Sequence, residues 1–301
     1  MNQTKNKTKI NSTNHRYFRG VSKKESHIRN MLNFHNFIKK HYYDTYLQAG
    51  QSIFEIAGGR GGDLRKIVMR KPAKIALLNI NRASLNEAKR RFENYKKNRA
   101  LGLSPNMNIE LIEENMTRNG VNLKNKLKTV SFDIIAIQFA IHYFMQTEAT
   151  FDRVLNIIKR YLKKGGYFFF TCFDGAKVAD KLKNRDNLVL ETYDKARDKT
   201  VKVFELQKKY AAANEDAHFG RQIMVFVETL SSANEEGKLE YLVDTKYIRE
   251  KLEKNGFRFI ESRGFEEYYG DWVDFKRGNV MNDAEKEFSF LNTGFVFQKV
   301  E

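Results

Sequence analysis

The sequence predicts an α/β protein: a doubly wound, mostly parallel sheet, an antiparallel pair at one sheet edge, and an insertion after the fifth strand. Three observations carry this. Short β-rich runs alternate with helical patterns through the first half of the chain, and strands spaced by helices pair in parallel with helices on both faces. Four glycines, Gly58, Gly59, Gly61 and Gly62, crowd the end of the first such run, where a helical pattern begins. The alternation breaks after about residue 175. A length of 301 residues, 41% hydrophobic and 13% aromatic, is enough for one large domain with a full core.

Taken in order, residues 1–20 are rich in Lys, Asn and Thr, lack periodicity, and read as a disordered basic lead-in. The folded domain is expected over 21–301. Residues 22–48 read as a helix, with Ile28, Met31, Leu32, Phe34, Phe37, Ile38 and Tyr42 at helical spacing. Strands are expected at 52–57, 74–80, 107–112, 132–139 and 166–173, with helices at 62–70, 83–98 and 148–162. The insertion, roughly 185–243, holds strand-like runs at 187–190 and 223–229 around a polar loop. A helix near 244–255 then leads into 256–262, and 294–300 ends the chain; these two runs supply the antiparallel pair.

The formal net charge of +17 points to a polyanionic partner, most often nucleic acid. The alternative is a generally basic solvated surface. The single cysteine, Cys172, excludes an intrachain disulfide and a Cys-based zinc site, and fits a reducing compartment. No metal is expected. The first twenty residues lack the pattern of a signal peptide, and the apolar runs are too short to span a bilayer, so no membrane partner is expected.

The glycine-rich corner tests two familiar loops. The dinucleotide fingerprint built on Gly59 and Gly61 needs a glycine where Leu64 stands, and the P-loop needs Gly-Lys followed by Ser or Thr. A phosphate cradle is poorly supported, and hydride transfer with it. What remains is a bend at which backbone closely approaches a flat ligand. The first-strand bend of S-adenosylmethionine (SAM) methyltransferases is of that kind. Glu55, just before the bend, would then face the ligand's amino group. Asp63 falls in the first turn of the next helix, where its charge suits the helix dipole.

At "FEIAGGRGGDLRK" (54–66) the chain resembles the first motif of mRNA cap guanine-N7 methyltransferases, with Arg60 in the place of a lysine. "NFHNFIKK" (33–40), "FDIIAIQFAIHYFM" (132–145), "LKKGGYFFFTCFDGAKV" (162–178), "FGRQ" (219–222), "LEYLVD" (239–244) and "FVFQK" (295–299) resemble later parts of that family in the same order. The closest look is to the methyltransferase domain of capping enzymes from large cytoplasmic DNA viruses. The resemblance implies a Rossmann-like class I SAM-dependent methyltransferase fold, with SAM as cofactor and the guanine of the mRNA cap as methyl acceptor. It implies a cytoplasmic site if viral, and a nuclear one if cellular.

By the same resemblance, Asn36 and Lys39 cover the carboxylate end of the cofactor. Glu55, Ala57, Gly58, Gly59, Gly61 and Asp63 seat its methionine part, Asn79 and Asn115 its adenosine, and Gln138 and Tyr143 line the cofactor side of the reaction pocket. Glu240 would accept from guanine N1–H and N2–H, to which a carboxylate is matched. His142 would donate to O6, and Phe219 or Phe226 would stack on the base, a contact of about 1–3 kcal/mol. Arg60, Arg65 and Lys66 are candidates for the triphosphate bridge. Guanine N7 has a free lone pair and no proton, so no catalytic base is needed; His142, Tyr143 and Glu240 act by positioning.

Four residues depart from the family pattern: Ala57 stands at the first glycine of the bend, Asn79 and Asn115 where acids receive the ribose and adenine, and Asn292 at the cap-side Tyr. An Asn still accepts from a hydroxyl but loses the charge-assisted bond. Two other readings stay open: a catalytically weakened or inactive domain that binds RNA or a partner, and a SAM enzyme acting on another nucleic acid. Capping enzymes of this kind bring in further capping domains on the same polypeptide or an activating subunit. No Lys-x-Asp-Gly nucleotidyl motif is present in this chain.

Overall fold

A computed structural model describes residues 26–230, 237–276 and 280–301. The expected lead-in at 1–20 lies outside them. Seven strands form the main sheet: β1 (Ser52–Ile56), β2 (Lys74–Asn79), β3 (Ile109–Glu113), β4 (Phe132–Gln138), β5 (Leu162–Phe173), and, after an insertion, β10 (Phe257–Gly264) and β11 (Asn292–Lys299). Their order is β10-β11-β5-β4-β1-β2-β3. The pairs from β5 through β4, β1 and β2 to β3 are parallel, whereas β11 runs antiparallel to both β10 and β5. The antiparallel pair at the edge is therefore as expected, and the reversed strand sits one place in from the edge.

Helices α1 (Arg29–Tyr46), α2 (Leu64–Met69), α3 (Arg82–Lys97), α4 (Glu148–Tyr161), α5 (Gly175–Lys181), α6 (Thr245–Glu253), α7 (Tyr269–Lys276) and α8 (Asp283–Ser289) cover the sheet. β1 is buried along its whole length, as a central parallel strand must be. Alternate strand residues feed two cores. Ile53, Leu77, Ile134 and Phe169 pack with α1, α2 and α3 on one face, and Phe54, Leu78, Ile135 and Phe170 with α4 and α6 on the other. α1 seats two rings on one phenylalanine: Tyr42 stacks on Phe169 at 5.8 Å, and Tyr43 meets it edge-on at 5.4 Å.

The insertion builds its own antiparallel sheet, β6 (Asn187–Asp194), β7 (Lys199–Lys208), β8 (Gln222–Val227) and β9 (Lys238–Tyr241), in that order. It packs through Phe204, stacked on Phe288 of α8 at 4.1 Å. β7 escapes a sequence reading because a register shift opposite Leu190–Glu191 breaks its alternation, leaving Val203 through Leu206 buried in a row. The short α5, α7 and α8 also go unread, each being too brief to show a period.

β11 contains one enforced close approach. A Cβ on Gly294 would overlap the Tyr42 ring and its hydroxyl, which accepts from Tyr268 Oη at 2.9 Å. Gly294→Ala is expected to cost about 1–3 kcal/mol of stability through overpacking, read as a lower urea midpoint.

Candidate active site

The strands are laid down outward from β1 to β3 on one side and from β4 to β5 on the other, so the strand order switches between the parallel neighbours β1 and β4, and ligands of open α/β sheets bind at the carboxyl ends of strands flanking such a point. Both strands end in a non-glycine residue in the left-handed region: Ala57 with φ 58° after β1, and Phe139 with φ 51° after β4. Each costs about 1–2 kcal/mol relative to a right-handed conformation, and such strain clusters at functional sites. The glycines of the corner have separate causes. Gly58 has no room for a side chain, since a Cβ would lie 2.8 Å from Leu77 Cγ and 3.0 Å from Glu55 Cδ. Gly59 has φ 54° and faces open space.

Behind the corner lies a ring of polar groups around Asp63. Asp63 receives Lys39 Nζ at 2.8 Å and Lys66 Nζ at 2.6 Å. Lys66 also donates to Asn36 Oδ1 at 2.7 Å, and Asn36 Nδ2 donates to Leu32 O at 2.8 Å. Burial alone would raise the Asp63 carboxyl, but the two ammonium groups override it and hold it low. Glu55 is buried beside this ring; burial, reinforced by the Asp63 charge, pushes its carboxyl up to about 8. Its Oε1 lies 3.5 Å from the Tyr43 hydroxyl, and its Oε2 has no partner among the described residues.

Two expectations change here. Asp63 occupies the N-cap position of α2 but makes no side-chain cap bond, because the lysines draw its carboxylate away. Lys66, expected on the triphosphate path, is turned inward with its side chain 12% exposed, since that carboxylate lies one helical turn before it. Arg60 and Arg65 stay exposed beside the corner.

At the end of β2, Asn79 is buried and donates to Asn81 O at 3.5 Å. Beyond β3, the Asn115 oxygen is committed to its own turn, accepting from Thr117 N at 3.0 Å and Thr117 Oγ1 at 2.7 Å. Gln138, the last residue of β4, accepts from Thr171 Oγ1 at 2.8 Å, and its buried Nε2 has no partner among the described residues.

A second group gathers where β9 crosses the short turn Ile141–Phe144. His142 Nδ1 lies 3.5 Å from Glu240 Oε2, and the His142 and Tyr143 rings are 4.0 Å apart. Burial lowers the imidazole to about 3 and raises the Glu240 carboxyl to about 8, so both groups are held towards their neutral forms. His142 Nε2 is buried with no partner among the described residues. Tyr143 stands beside it, 41% exposed.

Three cap-side expectations do not meet at this place. Glu240 pairs across the small sheet with Ile223, so Phe226, three positions along β8, points to the opposite face, where Lys202 Nζ lies 4.5 Å from its ring. It cannot stack on a base held by Glu240. Phe219 packs against Tyr247 at 5.2 Å and Phe151 at 6.3 Å, in the seam between α4 and α6. Asn292 is buried and donates to Ser289 O at 3.0 Å, closing the end of α8. Sequence reasoning also passed over Tyr43 and Thr171. The signal for Thr171 was a hydroxyl inside the aromatic run "FFFTCF".

Over residues 2–300 the chain matches the family model described as the mRNA (guanine-N(7))-methyltransferase domain. It is 28% identical over 271 residues to "Probable mRNA-capping enzyme" of Acanthamoeba polyphaga mimivirus, covering 84% of this chain and 23% of that protein. It is 25% identical over 303 residues to the mRNA cap guanine-N(7) methyltransferase of Candida glabrata, covering 93% of this chain and 69% of that one. With the Saccharomyces cerevisiae protein of the same name it shares 29% over 162 residues, or 52% of this chain and 35% of that one. The chain thus spans about a quarter of the mimivirus protein's length. Among solved structures, an S-adenosylmethionine dependent methyltransferase from Listeria monocytogenes superposes with a TM-score of 0.56 at 14% identity, covering 90% of this chain and 100% of that one. One from Mesorhizobium loti gives 0.52 at 12%, covering 89% and 100%. These two likenesses are of fold.

If Lys66 serves the ring behind the corner, Lys66→Met lowers the urea midpoint clearly more than Arg65→Met does, by roughly 1–3 kcal/mol, because it leaves Asp63 short of one cation in a buried place. Equal midpoints for the two variants would return Lys66 to the surface path.

Proposed function

The chain belongs to the mRNA (guanine-N(7))-methyltransferase domain family, and from that membership we propose that it transfers a methyl group from SAM to N7 of the guanine cap of mRNA. The observation that carries the reading is the meeting of Glu240 with His142. An inserted sheet brings a carboxyl to the turn just after the left-handed Phe139 of β4, the strand paired with β1 that leads into the glycine corner.

The corner fits SAM. Glu55 Oε2, without a partner among the described residues, suits an ammonium group, and the open side of Gly59 lets a ligand lie against backbone. When bound, SAM supplies a methyl group activated by a sulfonium. Lys39 and Asn36 would cover the amino-acid end, Gln138 would reach the same end from β4, and Tyr143 would face the reacting centre. On the other side, Glu240 as carboxylate accepts N1–H and N2–H, and neutral His142 donates from Nε2 to O6. No group takes a proton from N7. Holding N7 in line with the methyl group and excluding water supplies about 7–11 kcal/mol of the barrier lowering. Arg60 and Arg65 meet the triphosphate bridge, and the charge of +17 supports RNA as partner. The greater length of the mimivirus relative supports further capping activities around this domain.

Labelled SAM with unmethylated capped RNA should put label on N7; no label while SAM binds rejects the reading. Glu240→Ala is expected to lower cap-dependent activity about 100-fold or more, since two hydrogen bonds to a charged group are worth about 1.5–3 kcal/mol each. Unchanged activity would instead support methylation of another nucleic acid. The inactive binding domain is favoured by one observation, the commitment of the Asn115 oxygen to its own turn. Clear SAM binding by calorimetry argues against it.

Glu240 also sets a pH dependence. In the free protein burial raises its carboxyl to about 8. Two guanine N–H donors favour its charged form and lower that value in the complex. Cap binding then releases a proton, so affinity for a cap analogue rises from pH 6 to about 8 and levels off above. Fluorescence titrations across that range check the sign, and affinity that improves as pH falls contradicts it.

A further inference from the structure

The donor side of the site is backed by two hydroxyls, those of Thr171 and Tyr43, to which the sequence reading gave no role. Thr171 is fully buried in β5. Its Oγ1 accepts from Phe139 N at 3.3 Å, so its own proton goes to Gln138 Oε1, 2.8 Å away. That contact fixes the Gln138 amide: the oxygen is occupied and the buried Nε2 is turned away from it without a partner among the described residues. Tyr43, also fully buried, lies next in line. Gln138 bears on its phenol, and its hydroxyl points to Glu55 Oε1 at 3.5 Å. The Tyr43 ring cannot swing aside, being lodged edge-on against Phe169.

Thr171, Gln138, Tyr43 and Glu55 thus form one file across β5, β4, α1 and β1. Along it lie two polar atoms with no partner that meets hydrogen-bond geometry among the described residues, a donor at Gln138 Nε2 and an acceptor at Glu55 Oε2. Buried polar atoms without partners are rare, and each calls for an explanation such as a ligand. A donor and an acceptor that both neighbour one phenol hydroxyl match an ammonium beside an acceptor oxygen, the chemistry of an amino-acid end.

We propose that Thr171 and Tyr43 are positioning residues of the donor site. Through Gln138 and Glu55 they set one N–H donor and one carboxylate oxygen against the amino-acid end of SAM. This rests on the reading of the glycine corner as the SAM seat.

The test titrates the whole protein by calorimetry with two ligands: SAM, and 5′-methylthioadenosine, which lacks the amino-acid end. Thr171→Val and Tyr43→Phe each keep the side-chain shape and remove one hydroxyl. Each should weaken SAM about 3- to 10-fold, the worth of one hydrogen bond, and leave methylthioadenosine unchanged. Thr171→Ser should keep the affinity for SAM. In a Gln138→Ala background, Thr171→Val should add no further loss, because Thr171 acts through Gln138. Equal weakening of both ligands marks a merely structural role and overturns the proposal, as does full SAM affinity in both variants. Failure of the wild-type protein to bind SAM is a different result: it removes the SAM reading itself, and this proposal with it.

Discussion

Asp63 is the constraint on which the rest of the site depends. Its buried carboxylate takes both nearby ammonium groups, Lys39 from α1 and Lys66 from α2, and so ties α1 to the far side of the glycine corner. The consequence falls on Glu55. Burial disfavours a charge on Glu55, the Asp63 carboxylate beside it adds to that, and Glu55 holds its proton to about 8. Of two neighbouring acids, one is charged and closed off, and the other is kept uncharged with one oxygen bare. The first is architecture and the second is available to a ligand. The asymmetry comes from which carboxylate the lysines can reach.

The two sheets divide the work differently. The parallel sheet supplies rigid strand ends, and the strained backbone at Ala57 and Phe139 is held by many contacts. Phe139 N meets both the carbonyl and the hydroxyl of Thr171, and its ring stacks on His35 at 5.1 Å. The inserted sheet supplies reach. Its register decides what arrives: Glu240 shares a face with Ile223, and its edge strand comes over the His142 turn. A one-residue slip of β9 would turn Glu240 to the face of Phe226 and bring Leu239 or Tyr241 to His142 instead.

The parallel sheet and the corner were legible in the sequence because both are local. A buried parallel strand is a short apolar run, and a left-handed bend gathers glycines. What stayed hidden depends on direction. Phe226 and Glu240 are both plausible cap readers along the chain, and only the pairing of β8 with β9 puts them on opposite faces. Lys66 reads as one more cation in a basic stretch until α2 starts at Leu64 and turns it over Asp63. Asn292 stands where the family resemblance brings a cap-side tyrosine. The unread helix α8 ends just before it, and its last carbonyls take the amide. Ala57 shows the converse: the left-handed conformation persists without the glycine that normally permits it. The surrounding packing therefore fixes the corner more firmly than local preference does.

Glu55 and Glu240, the two carboxyl groups that the proposed function turns towards ligands, are both raised by burial to about 8, and on that reading each is offered a group rich in N–H donors. An ionised carboxylate withdrawn from water without enough donors is costly, whereas a protonated one is much less so. Burial therefore favours the neutral acid at both positions. A ligand whose donors favour the carboxylate supplies the interaction that makes ionisation favourable, and the proton leaves as the ligand enters. A ligand without such donors meets an uncharged, partly filled pocket and gains little. Selectivity at both ends of the site thus comes from the same coupling: charge appears only where a matching partner is already in contact. This also gives the two lysines on Asp63 their importance, for a free ammonium beside Glu55 would ionise it in advance and remove the distinction.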